Sequence, residues 1–121
     1  MKQGIVLFAH GSRDPEWARP FESIASQLSK KFLVRLAYLE VMRPSLGDAV
    51  AELAAAGATS IRVVPLFLGP GGHVKDDLPR LVSAAMTGHS HVEITLEKPI
   101  GEQPAVITAI AEAISSAIAK E

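Results

Sequence analysis

Four short apolar runs alternate with four segments of helical period along this chain, and few folds accommodate that order. Residues 4–10, "GIVLFAH", form a continuous apolar run, the pattern of a strand covered on both faces. Residues 33–41, "LVRLAYLEV", and 60–68, "SIRVVPLFL", read the same way. Residues 91–100, "HVEITLEKPI", alternate more and suit a sheet edge. In residues 14–31 and just beyond, Trp17, Phe21, Ile24, Ala25, Leu28 and Phe32 recur at helical spacing and form one face. Asp14 is the expected N-cap, with Pro15 in the first turn. Pro20 removes a backbone donor, so this helix starts late or kinks there. Pro44 and Ser45 open an alanine-rich helix that stops at Gly57. Residues 76–86 read as a third helix with Leu78, Leu81, Val82 and Ala85 inward, and residues 103–119 as an alanine-rich amphipathic fourth.

Strands separated by helices imply an α/β fold with a four-stranded parallel sheet and helices on both faces. At 121 residues, the chain reads as one domain spanning 1–121. A chain of that size buries roughly 65% of its unfolded surface, enough to fold without a disulfide or metal. It contains no cysteine, which excludes disulfides, thiolate metal sites and thiol redox chemistry. The net charge of −1 argues against a nucleic-acid face or a polybasic membrane tether. The opening "MKQGIVLFAHGS" is too short an apolar run for a secretory signal, and no window reaches transmembrane length. The expected setting is the cytoplasm, with neither nucleic acid nor membrane as partner.

In parallel α/β sheets the working residues gather beyond the carboxyl ends of the strands. His10 ends the first run, Glu40 the second, and residues 69–73 follow the third, so all three share one rim. An imidazole can offer a ring nitrogen to a metal or a proton near neutral pH. Two imidazoles, His10 and His73, with the carboxylate of Glu40 suit a divalent first-row ion, leaving positions open for water or substrate. The plainer alternative is a histidine packed at a strand end and bonded to a backbone carbonyl.

The stretch "LGPGGH", residues 68–73, matches neither G-x-G-x-x-G nor a P-loop. It could serve as a tight turn, as a backbone cradle for phosphate, or as room for a flat ligand. Its end on a potential ligand favours the flat ligand. Arg13, Arg43, Lys75 and Arg80 lie in or near rim loops and as a group suit a polycarboxylate, while Asp76 and Asp77 can cap the helix that follows. His89 and His91 read as an ordinary exposed turn.

"HGSRDP" after the first strand, "YLEVMRPSL" after the second and "PLFLGPGGHVKDDLP" after the third together resemble the small, single-domain sirohydrochlorin chelatases, the short form of the CbiX family. The resemblance runs over almost the whole chain and includes "EKPIGEQPAVITAIAEAI", with its Gly-x-x-Pro step into the last helix. It implies a chelatase-like domain, half of a two-domain flavodoxin-like architecture. It also implies a lyase that inserts a divalent metal into sirohydrochlorin without ATP. Cobalt is the expected metal, on the way to cobalamin, with iron and nickel as alternatives and no cofactor beyond the metal substrate. By position His10 is the proton acceptor and a metal ligand, His73 the second histidine ligand, and Glu40 the acidic residue beside them. Arg43 and the loop Leu68, Gly69, Pro70, Gly71, Gly72 and His73 match segments that contact the macrocycle. A homodimer with its cleft between subunits is implied because longer members fuse two such domains. The rival reading is a metal or tetrapyrrole carrier without turnover.

Overall fold

The structure, a computed structural model, describes residues 2–69 and 71–119; the side chains of residues 2 and 72–75 fall outside that description. The described elements are β1 (Lys2–Ala9), α1 (Arg19–Leu28), β2 (Leu33–Tyr38), α2 (Leu46–Ala55), β3 (Ala58–Pro65), α3 (Gly72–Met86), β4 (Glu93–Leu96) and α4 (Pro104–Ala119). Single 3-10 turns at Pro15–Ala18 and Ile100–Glu102 precede α1 and α4. The sheet is wholly parallel, in the order β2-β1-β3-β4. The short fourth strand lies at an edge, as its alternation predicts.

Local chemistry sets the boundaries. Asp14 caps the first turn by accepting from the Glu16 N–H at 3.0 Å, with Pro15 behind it. Pro20 falls in the first turn of α1, where a missing N–H is harmless, so the helix starts late and does not kink. Ser45 caps α2 by accepting from Asp48 N–H at 3.2 Å. Gly57 takes a φ of 101° just past its end, a backbone conformation that favours glycine.

The second strand stops at Tyr38, short of the predicted 41, because the chain turns there. The Tyr38 N–H donates to Pro44 O at 2.9 Å and closes a loop over residues 39–43. The third helix begins a full turn earlier than residue 76, so the backbone of His73 belongs to α3, where the sequence reading has a loop.

Register divides the sheet into two unlike faces. Val6 pairs with Val63, Phe8 with Pro65 and with Ala37, and these side chains face α2 and α3. There they join Val50, Leu53, Ile61, Val82 and Ile94 in a closed core. Ile5 and Leu7 point the other way, toward Phe21, Ile24 and Leu28 of α1. No residue of α1 or α4 is buried.

Candidate active site at the carboxyl rim

The rim is built by carrying the β1–β2 ladder past the strand ends. Leu39 N–H donates to Ala9 O at 2.9 Å, and Glu40 N–H donates to His10 O at 3.1 Å. These two bonds set His10 and Glu40 side by side, although 30 residues separate them in sequence. Their side chains meet: His10 Nε2 lies 2.9 Å from Glu40 Oε1, with both about half exposed. A carboxylate oxygen accepts this bond, so in the neutral imidazole Nε2 carries the proton and Nδ1 keeps the lone pair. His10 is not simply packed on a backbone carbonyl; its partner is a carboxylate.

Gly11 makes this approach possible. Its φ is 106°, and a Cβ there would sit 2.0 Å from Glu40 O. Any side chain would strain the turn and push the Glu40 backbone away from His10. Met42 N–H donates to Glu40 O at 2.7 Å and ties the loop from its other side. Within that loop Val41 takes a φ of 71° with its side chain 59% exposed. A β-branched residue is an outlier in this region, and such strain concentrates at functional sites. Nothing in the sequence pattern marks it.

Beyond β3, Leu66 N–H donates to Phe8 O at 2.8 Å, extending the β1–β3 ladder toward the glycine-rich stretch. Leu68, Gly69 and Gly71 are exposed. Pro70, and the side chains of Gly72 and His73, lie outside the described residues, so the predicted approach of His73 to the pair is not drawn from the structure. Among the described residues, no group of three or more His, Asp or Glu side chains is arranged to hold a metal.

The backbone of Leu68 is held from below. Gly101 N–H donates to Phe67 O at 2.9 Å, and a Cβ on Gly101 would lie 2.2 Å from Leu68 O. Gly101 is thus a support for the loop; the Gly-x-x-Pro step is its only trace in the sequence. Arg13 and Arg43 are exposed and form no ion pair among the described residues, which leaves both available to an anion. Arg80, grouped with them on sequence, pairs instead with Asp77 one turn back on α3. His89 and His91 lie with their rings 6.5 Å apart before β4, away from the carboxyl rim.

The chain is similar to known proteins over most of its length. A cobaltochelatase for sirohydrochlorin from Saccharolobus solfataricus is 38% identical over 105 residues, 81% of this chain and 82% of that protein. One from Methanosarcina barkeri is 34% identical over 77% of this chain and 74% of its own length. Among solved structures, a CbiX protein from Marinobacter aquaeolei VT8 superposes with a TM-score of 0.86 at 32% identity, covering 98% of this chain and 99% of the other. The sirohydrochlorin chelatase SirB from Bacillus subtilis subspecies spizizenii, in complex with cobalt, gives 0.80 at 27% identity, covering 96% of this chain. This chain spans about half, 51%, of that one. Residues 4–117 match the CbiX family as a whole, and the chain is a member of that family.

Proposed function

We propose that this protein is a sirohydrochlorin chelatase that inserts a divalent metal, cobalt in first place, into the macrocycle without ATP. The observation that carries the proposal is the 2.9 Å His10–Glu40 pair at the mouth of the parallel sheet. Metal insertion must strip two pyrrole N–H protons and exchange metal-bound water for ring nitrogens. His10, with Nδ1 free, is the base for the first task. Glu40 holds the ring in one tautomer and stabilises the imidazolium that forms. His73 serves with them as a further ligand to the incoming ion. Such a set is too sparse to trap the metal, which the reaction has to release. Arg43 meets the substrate's carboxylates. Leu68, Gly69, Pro70, Gly71 and Gly72 give a flat ring room to approach the backbone. No cofactor is needed beyond the metal substrate. The working unit is a homodimer with the cleft between subunits, and its setting is the cytoplasm.

The test is an absorbance time course of sirohydrochlorin with Co²⁺ at substoichiometric protein. Many turnovers above the spontaneous rate are expected, and Fe²⁺ and Ni²⁺ run in parallel rank the metals. A shift that saturates at one ligand per site without acceleration would mean a carrier and end the enzyme reading. His10→Ala should lose about 10²- to 10⁴-fold in turnover with an unchanged far-ultraviolet circular dichroism spectrum. Near-native turnover in that variant would remove His10 from the role of base.

A further inference from the structure

Val41, directly after Glu40, combines two properties that seldom occur together. Its φ is 71°, and Met42 N–H donates across it to Glu40 O at 2.7 Å, which makes residues 40–42 a γ-turn of the rare, strained hand. Val41 is also 59% exposed, so packing within the chain does little to offset that strain. Glycine, asparagine or aspartate would sit there at lower cost. A lone exposed valine is ordinary; one held in an unfavourable turn beside the His10–Glu40 pair is not. Its side chain has no group that moves a proton or binds a metal. What it presents is apolar surface.

Topology locates that surface over the site. The sheet order β2-β1-β3 puts the loop after β2 and the loop after β3 on opposite sides of His10, which follows β1. Each loop carries one large, exposed apolar side chain: Val41 after β2, and Leu68, 75% exposed, after β3. Two strand spacings, roughly 10 Å, separate β2 from β3. A flat ring laid over His10 therefore reaches both loops. Two residues beyond Val41, Arg43 is exposed and forms no ion pair among the described residues. Residues 41–43 thus offer an apolar contact and a cation close together. That pairing matches a macrocycle with apolar faces and carboxylates at its edge.

We infer that Val41 is a contact for the face of the macrocycle, and that its strained turn persists because it holds this side chain against the ring beside Glu40. The inference rests on the chelatase reading for the identity of the ligand. Val41 takes no part in removing protons or transferring the metal. It seats the ring, so its loss falls on binding and leaves the chemical step nearly untouched.

Three variants separate the side chain from the turn. Val41→Asn and Val41→Gly relax the backbone and remove the apolar surface, while Val41→Ile keeps both the strain and the surface. Val41→Asn should raise the melting temperature by about 3 °C, and Val41→Gly by less, because glycine also frees the unfolded chain. In both, the Kd for sirohydrochlorin without metal should rise about tenfold. KM with Co²⁺ should rise in parallel, with kcat changed less than about twofold. Val41→Ile should match the wild type in Kd and in melting temperature. Unchanged binding in the Asn and Gly variants would overturn the contact. A lower melting temperature in Val41→Asn would overturn the strain on which it rests. An equal loss of binding in Val41→Ile would assign the effect to the shape of the turn and also overturn the contact. Binding is read without metal, so this test stands apart from turnover. Wild type that binds sirohydrochlorin but does not metallate it would end the chelatase reading, and the variants would still decide the contact. Wild type that fails to bind it would end both.

Discussion

The two faces of the sheet are made from similar residues and end in opposite states. On the face under α2 and α3, Val6, Val50, Leu53, Ile61 and Val63 are all 0% exposed. On the other face Ile24, Phe32 and the isoleucines of α4 remain in water beside an open groove. Apolar periodicity is as clear in α1 and α4 as in α2. The difference lies in connectivity: α2 and α3 pack on each other as well as on the sheet, while α4 rests chiefly on the 3-10 turn before it. A hydrophobic stripe specifies that a face must be covered. It does not specify which chain does the covering.

Paired truncations put the largest number on that contrast. Leu53→Ala opens an enclosed cavity and should cost about 3 kcal/mol, with a fall in melting temperature of roughly 10 °C. Leu28→Ala, bordering a groove that is already open, should cost about 1 kcal/mol in dilute protein. Chemical denaturation of the two variants measures both. Equal losses would erase the distinction between the faces.

Much of this was legible in the sequence. The element order, the parallel sheet, the edge position of β4, and the rim sites of His10 and Glu40 follow from period and from where strands end. The site's fine structure did not. The His10–Glu40 contact depends on Gly11 lying against the Glu40 carbonyl, a tertiary approach without local signature. The left-handed Val41 contradicts its own backbone preference, so propensity points away from it. The early start of α3 has no local signal, because "GPGGH" reads as loop by composition, while α3 packs against α2 and β4 in the fold. The last helix reads as amphipathic. Its stripe is real, yet Ile107, Ile110, Ile114 and Ile118 stay exposed among the described residues.

Gly101 joins the open face to the site and gives the next effect in size. Gly101→Ala places a methyl 2.2 Å from Leu68 O and 2.3 Å from Leu68 Cα, both backbone atoms that move only with the loop. A loss of about 1–3 kcal/mol is expected. If the loop approaches substrate, KM for sirohydrochlorin should rise more than kcat falls, since the His10–Glu40 pair is anchored separately by β1 and β2. A purely thermal effect, with KM unchanged, would confine Gly101 to the fold and sever the open face from the site.

The smallest effect tests whether the open face is dry at its upper end. Trp17 sits 4.7 Å from Phe21 and 6.2 Å from Tyr38 between ring centres, closing over a tyrosine that is 5% exposed. Burial raises the Tyr38 pKa above 10.0, and the nearby Glu22 carboxylate adds to the rise. The folded chain therefore keeps the phenol proton at a pH where the unfolded chain has lost it. The associated stability is fully present below pH 10.0 and is lost as pH rises through the higher folded value. Tyr38 is the chain's one tyrosine, so phenolate absorbance reports it alone. Tyr38→Phe should remove that part of the alkaline stability loss and leave the rest, which isolates Tyr38 from the lysines that titrate in the same range. An ordinary titration in the folded protein would mean that water reaches this end of the face too.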